Sequence, residues 1–334
     1  MKRLFIISGV TGMTGSELAR VIIESGDTVI GFDSFFASSI QTVEGLLGSP
    51  SFQFFQYDLN DPAQMEDIKR LALQEKGSFD SLIYINCAAV VHTEYFYHVE
   101  DTFQTNVLGM RAFLAQALEV KADIFINCST SEVYSMESYR PGGVREDDYI
   151  HLATAEHSQR TSYAAGKLLT EFFLQDAVAH GQIKGCSIRF ANVYSNHERY
   201  AKHIIPHIVS SLLQNGEVTL LNNAKTTQRS FLHNIDSCSA VLALAQTDGA
   251  LDGSVYNVAT QEEITILELV DRIAHKLQID NPVIRFSGER AADPVRRVLS
   301  TQKLQARTGW KPKVCLNDGL DMVVAACKSR SSRL

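Results

Sequence analysis

The segment Gly9-Val10-Thr11-Gly12-Met13-Thr14-Gly15 is the tightest constraint in this chain. The apolar run Arg3–Ser8 before it reads as a strand. Ser16–Glu24 after it, with Leu18, Val21 and Ile22 at helical spacing, reads as a helix. In a strand–turn–helix junction of this kind the first glycine permits the sharp bend and the second lets backbone N–H groups approach a pyrophosphate. The third lets the helix pack closely on the strand, and the helix N-terminus favours the anion. A glycine triplet alone is weak evidence; its place between a strand and a helix makes it informative.

The rest of the chain continues the alternation. Thr28–Asp33, Phe52–Tyr57, Leu82–Asn86, Ile124–Cys128 and Cys186–Phe190 read as strands, and Gln64–Gln74, Phe103–Glu119 and Ser162–Ala179 as helices. Apolar strands alternating with helices imply an α/β fold, a doubly wound parallel sheet covered on both faces. Beyond Phe190 the rhythm changes. Helices fit Ile204–Gln214, Ile235–Ala245, Leu267–Leu277 and Asp318–Cys327, with short strands at Val218–Leu221, Ser254–Val258 and Val283–Phe286. This half reads as a smaller mixed α/β C-terminal lobe packed onto the first. Strands near Phe231 and Val255 are expected to return to the large sheet. The nucleotide-binding domain is then 1–188 plus about 229–258, and the second lobe about 189–228 plus 259–330.

Composition excludes several classes. With 45% hydrophobic and 21% charged residues the chain is a soluble globular protein, and a net charge of −7 speaks against a nucleic-acid binder. No apolar run reaches the ~18 residues of a membrane span. The apolar N-terminal stretch stops too early for a signal peptide, so a cytoplasmic protein is expected. The six cysteines show no C-x-x-C pair and read as buried free thiols. The histidines show no zinc spacing, so no metal is expected.

Asp33 closes the second strand about 20 residues after the glycine loop, where a carboxylate can accept both ribose hydroxyls of a dinucleotide. It also repels a 2′-phosphate, and no arginine follows in Ser34–Ser38, which points to NAD rather than NADP. Asp58-Leu59 ends the third strand. Asp58 is placed either to meet the adenine amino group or simply in a loop that caps the helix beginning at Pro62. Tyr163 and Lys167 stand one helical turn apart on one face. A neighbouring ammonium and a cationic nicotinamide would lower the phenol pKa and let it take a hydroxyl proton. Ahead of them, Ser129-Thr130-Ser131-Glu132-Val133-Tyr134 follows the fifth strand, where ligand groups belong in this architecture.

Taken in order, these motifs resemble the extended short-chain dehydrogenase/reductases, specifically the nucleotide-sugar epimerases and dehydratases. Asn86-Cys-Ala-Ala89, Asn106-Val-Leu-Gly109, Arg189-Phe-Ala-Asn192-Val-Tyr194, Gln228-Arg-Ser-Phe231 and Gly309-Trp-Lys-Pro312 extend the resemblance over essentially the whole chain. It implies NAD held by Gly9, Thr11, Gly12, Met13, Thr14, Gly15, Asp33, Asp58, Leu59, Ala88 and Asn106, with Tyr163 and Lys167 at the nicotinamide end. It implies that Thr130 and Tyr163 orient the sugar 4-hydroxyl. Asn192 resembles the asparagine that meets the diphosphate, and Arg229 and Arg290 its arginine clamps; Arg296 and Arg297 are nearby rivals of Arg290. His92 is either a ligand contact or a packed polar residue.

The shared first step of such enzymes is oxidation at sugar C4. Glu132 could then abstract the C5 proton of the 4-ketone and expel the C6 hydroxyl, which makes a 4,6-dehydratase the first expectation. A 4-epimerase is second and a uronic acid decarboxylase third. The chain departs from the glucose-type dehydratases at Ser131, where they carry an aspartate. Thr-Ser-Glu resembles the mannose-nucleotide dehydratases and the decarboxylases. Tyr194-Ser-Asn-His197 and Ser135 depart from the family pattern as well. A catalytically silent NAD-binding protein would be expected to lose Tyr163 or Lys167, and both are present. The partner expected is a nucleotide-diphosphate sugar. A homodimer is expected through Phe103–Glu119 and Ser162–Ala179, although their apolar positions also fit core packing.

Overall fold

The structure is a computed structural model that describes residues 2–92, 94–134, 141–198, 200–290 and 293–331. Ser135 lies outside the described residues. The first half runs β1 (Arg3–Ser8), α1 (Met13–Glu24), β2 (Thr28–Phe32), β3 (Phe52–Phe55), α2 (Pro62–Lys76) and β4 (Ser81–Asn86). It continues through α3 (Val99–Thr102), a π-helical stretch (Phe103–Gly109), α4 (Met110–Glu119), β5 (Ile124–Thr130), α5 (Thr161–Ala179) and β6 (Lys184–Phe190). The second half holds β7 (Asn192–Tyr194), α6 (Ile204–Asn215), β8 (Glu217–Leu220), β9 (Gln228–His233), α7 (Asn234–Ala245) and β10 (Asp252–Val258). Last come β11 (Glu263–Thr265), α8 (Ile266–Leu277), β12 (Val283–Phe286), β13 (Arg296–Arg297), α9 (Gln302–Thr308) and α10 (Leu316–Ser331).

Seven parallel strands form one sheet in the order β10-β6-β5-β4-β1-β2-β3. The expected doubly wound α/β fold is present. β1 shows why its sequence is almost wholly apolar: Leu4, Phe5, Ile6 and Ile7 are all fully buried, alternate residues feeding opposite faces. One face packs with α1 and α7, the other with α2, α4 and α5. The strand order reverses between β1 and β4, so a crevice opens at their carboxyl ends, where this architecture binds ligands.

Two expectations need correction. The strand around Phe231, β9, does not return to the large sheet. It centres a second sheet, pairing parallel with β7 and β13 and antiparallel with β11. Only the strand around Val255, β10, joins the large sheet, beside β6. The expected helix Phe103–Glu119 is also not uniform, because its first part is π-helical. Gly109 lies there against Leu59, and Asn106 turns inward to the β4 loop; wide turns of this kind often mark functional sites. At α2, Asp61 caps the helix by accepting from the Ala63 and Gln64 amides, and Pro62 needs no donor in the first turn.

Candidate active site

The glycine loop lies in the crevice between β1 and β4. Gly9 has a φ of +69°, and a Cβ there would stand 2.6 Å from the Ala88 amide nitrogen. At Gly15 a Cβ would come within 2.2 Å of the Gly9 carbonyl oxygen. Neither position accepts a side chain, so the loop stays thin and α1 starts close against it, its first-turn amides at the crevice mouth. Asp33, just past β2, accepts from the Thr11 amide at 3.2 Å, the Phe35 amide at 2.9 Å and the Ser38 hydroxyl at 3.2 Å. These bonds hold its carboxylate against the glycine loop, where ribose hydroxyls would exchange with the weaker ones. A loop that a Cβ would block and a carboxylate pinned beside it fit an adenine dinucleotide without a 2′-phosphate.

Six other expected cofactor residues are placed in and around this loop in different ways. Met13 and Thr14 open α1, and the Met13 carbonyl accepts from Asn234. Asp58 is exposed and accepts from the Asn60 amide, and Leu59 is buried beneath Gly109. The Ala88 amide donates to Ser8 Oγ at 3.3 Å. The Asn106 side chain spends its oxygen and nitrogen on the Val90 backbone, at 2.7 and 3.1 Å, so it shapes the loop after β4 rather than presenting a free amide.

At the carboxyl end of β5, Thr130 is hydrogen-bonded to the Tyr163 phenol and accepts from the Glu132 amide at 3.1 Å. Tyr163 and Lys167 are both buried on α5, 5% and 2% exposed. Burial pushes the phenol well up. The Thr130 hydrogen bond lowers it, Glu132 raises it further and Arg160 opposes. Burial pushes the Lys167 ammonium down, against the pull of Cys128, Cys87 and Glu171. Behind β5, Glu171 binds Arg189 at 2.6 Å and accepts from Ser129 at 2.6 Å, a closed network that fixes the strand end. Ser131, 4% exposed, begins the short 3-10 turn that carries Glu132.

Glu132 occupies a place that its sequence position does not reveal. Its two oxygens bind Arg297 at 2.7 Å and Arg160 at 2.9 Å. Burial raises this carboxyl, but Arg297, Arg160 and Arg229 outweigh burial and hold it down at about 2. Arg229, expected as a phosphate clamp, is buried and paired with Asp293 at 2.8 Å, and it also donates to the Gln228 and Val295 carbonyls. Arg297 reaches Asp293 at 3.9 Å. Among the described residues, three guanidinium groups thus face two carboxylates in one buried cluster. The Nε atoms of Arg160 and Arg297 are buried there with no hydrogen-bond partner.

Arg290 is half-buried on the segment after β12. Arg160 was missed in the sequence, although it stands one helical turn before Tyr163; Arg297 was seen only as a rival of Arg290. Asn192 donates to the Ser230 carbonyl at 3.1 Å, joining β7 to β9. The His92 ring stacks on Tyr200 at 3.6 Å, and burial, then His203, lowers its pKa. Of the cysteines, Cys128, Cys186 and Cys238 are buried as expected, Cys87 and Cys327 are partly covered, and Cys315 is exposed.

A glycine-loop cradle at the sheet's reversal point, with threonine at the end of β5 and tyrosine and lysine on α5, defines a dinucleotide-dependent enzyme of the short-chain dehydrogenase type. More narrowly, the chain belongs to the NAD dependent epimerase/dehydratase family, whose model matches residues 5–259. NAD is its cofactor, and the cradle fits it. The chain is 26% identical to UDP-glucuronic acid decarboxylase 1 of Arabidopsis thaliana over 335 residues, covering 98% of this chain and 71% of that protein. Among solved structures it is similar to a double mutant of the dTDP-glucose 4,6-dehydratase of Streptomyces venezuelae with NAD bound. There the TM-score is 0.84 at 22% identity, with 98% of each chain covered. The UDP-glucuronic acid 4-epimerase of Bacillus cereus, solved with UDP-glucuronic acid and NAD, gives a TM-score of 0.85 at 21% identity, covering 99% of this chain and 100% of that one.

Proposed function

We propose that the chain is an NAD-dependent enzyme acting at C4 of a nucleotide-diphosphate sugar, and that it decarboxylates a sugar whose C6 is a carboxylate. NAD, when bound, supplies the hydride acceptor that makes C4 a ketone. With its phenol lowered by the positive charge of a bound nicotinamide, Tyr163 takes the C4 hydroxyl proton, with the Thr130 hydroxyl fixing the line of approach and Lys167 on the same helix face behind them. The glycine loop and Asp33 carry the dinucleotide, while Asn192, Arg229 and Arg290 stand on the side of the second lobe.

The observation that carries the choice of reaction is the clamp on Glu132. Dehydration requires a base for the C5 proton, and a carboxyl held at about 2 is a feeble one near neutrality. It also requires an acid for the departing hydroxyl, and Ser131 is a poor one. Loss of carbon dioxide requires neither group. Once C4 is a ketone, the C5–C6 bond breaks and carbon dioxide leaves, its electron pair moves into the C4 carbonyl, C5 takes a proton, and return of the hydride and of a proton to C4 leaves a sugar lighter by carbon dioxide alone. The excess positive charge around Arg160 and Arg297, with their unspent Nε–H groups, suits a second carboxylate. The UDP-glucuronic acid decarboxylase among the relatives acts on such a sugar.

Product mass tests the reading. With NAD and a UDP-linked hexuronate, a product lighter by carbon dioxide is expected. Loss of water from a neutral hexose nucleotide would restore the 4,6-dehydratase. An unchanged mass with an inverted C4 would make the enzyme a 4-epimerase.

A further inference from the structure

We propose that Phe96 is a positioning residue that holds the Tyr163 phenol and the Arg160 guanidinium in one register, so that the group taking the C4 proton and the group facing the sugar's other end move as a unit. The proposal rests on the reading of Tyr163 as the proton acceptor. Phe96 lies in a short turn, Tyr95–Tyr97, on the loop after β4, and is 4% exposed. Its ring lies nearly parallel to that of Tyr163, 4.1 Å between centroids and 12° between planes. The Arg160 guanidinium lies over the same ring at 5.4 Å from its centroid. The Phe96 carbonyl accepts from Ser162 Oγ at 3.2 Å. One residue of a loop thus touches Arg160, Ser162 and Tyr163 at the start of α5.

The loop is fastened at its other end. Glu94 accepts from the Tyr200 hydroxyl at 2.5 Å and from Lys202 Nζ at 2.6 Å, and His92 stacks on Tyr200 with 8° between planes. Phe96 therefore stands on a strap between α5 and the segment that leads into α6. A flat ring is what this position requires. Stacking fixes the plane of the phenol and the cation–π contact fixes the guanidinium, whereas an aliphatic side chain of similar size fills the space and fixes neither. The ring also shields the phenol from water. Three groups set its ionisation from the other sides: the Thr130 hydroxyl at the end of β5, Glu132 in the turn after it, and Arg160 just before α5, while Lys167 stands one turn further along that helix.

The test uses the NAD-bound protein and the variants Phe96→Leu, Phe96→Ala and Phe96→Tyr. A misplacement of about 1 Å at a reacting group costs up to about a hundredfold in rate, so Phe96→Leu is expected to lose at least tenfold in kcat with its KM for NAD unchanged. Phe96→Tyr, which keeps the ring, is expected to restore it. The second readout needs no turnover: the phenolate absorbance that disappears in Tyr163→Phe is titrated in each variant. Phe96→Ala, by admitting water, is expected to move that titration to lower pH. An unmoved titration in Phe96→Ala overturns the proposal whatever the activity, and so does a Phe96→Leu enzyme with the parent's kcat. If no sugar nucleotide reacts with the parent enzyme while the titration shifts as expected, the functional reading has failed and the placement of Phe96 stands.

Discussion

Glu132 offers the sharpest physical test of the site, because its charge state and its partners make one quantitative statement. Its carboxyl is held from 4.5 down to about 2, against burial, by Arg297, Arg160 and Arg229. At about 1.4 kcal/mol for each pH unit, this corresponds to about 3 kcal/mol of folding stability at neutral pH. The sign follows from the depressed value. The contribution is complete above the unfolded carboxyl's pKa and is lost as pH falls from there through the folded value, so about 2 kcal/mol of it is gone by pH 3. Glu132→Gln removes the titrating group and leaves its arginines in place. The measurement is the urea unfolding free energy of parent and Glu132→Gln from pH 7 to pH 3. The two proteins should differ most at pH 7, and the gap should narrow by about 2 kcal/mol as the carboxyl of the unfolded parent protonates. A constant gap across that range would mean that Glu132 keeps an ordinary pKa. The clamp would then be absent, and the case against Glu132 as the C5 base would go with it.

Arg160→Met should raise KM for a hexuronate nucleotide by about 10- to 100-fold, the worth of one charge-assisted hydrogen bond of about 1.5–3 kcal/mol, and leave KM for a neutral hexose nucleotide nearly unchanged. Equal effects on both sugars, seen in steady-state kinetics, would refute a carboxylate-reading role. Gly15→Ala should cost about 1–3 kcal/mol of stability, because its Cβ would meet the Gly9 carbonyl at 2.2 Å. It should also weaken NAD binding in a fluorescence titration, and retained affinity would show that the loop relaxes freely. Val99, Phe103, Leu169 and Phe172 are exposed on α3, the π-helical stretch and α5, some of them around a cavity of about 250 Å³ beside Tyr163. If these helices pair two copies, sedimentation should give a dimer for the parent and a monomer for Phe172→Glu; a monomeric parent ends that expectation.

What was legible in the sequence was what a short stretch of chain decides for itself. β1, the glycine loop and α1 are contiguous, so their residues carry the strand, the turn and the helix start together. Tyr163 and Lys167 share a helix face by spacing alone. β9 was legible as a strand but its destination was not. Its partner β7 is only Asn192–Tyr194, too short to show periodicity, and the pairing that takes β9 out of the large sheet is a tertiary event. Asn106 shows a different limit. The family motif marks the position, but whether its amide reaches the cofactor or the loop behind it depends on Val90, which the motif does not contain.

The charge arrangement was the least legible part, and it bears most on function. The contact between Glu132 and Arg297 joins residues 165 apart in sequence, so no local pattern announces it. A net charge of −7 even suggests the wrong polarity for a protein whose proposed ligand is an anion. Long-range folding reverses that locally by burying Arg160, Arg229 and Arg297 against, among the described residues, Glu132 and Asp293. Burying cations in excess is costly unless something neutralises them, and hydrogen-bonding groups left unspent at the same place add to the cost. A substrate carboxylate would offset both terms, which makes the unmatched charge a preorganised half of an interaction. Filling that site with a neutral hydroxymethyl group leaves the cost in place. If the proposed decarboxylation is the reaction, discrimination between a uronate and a neutral hexose is built into the folded protein before either sugar arrives.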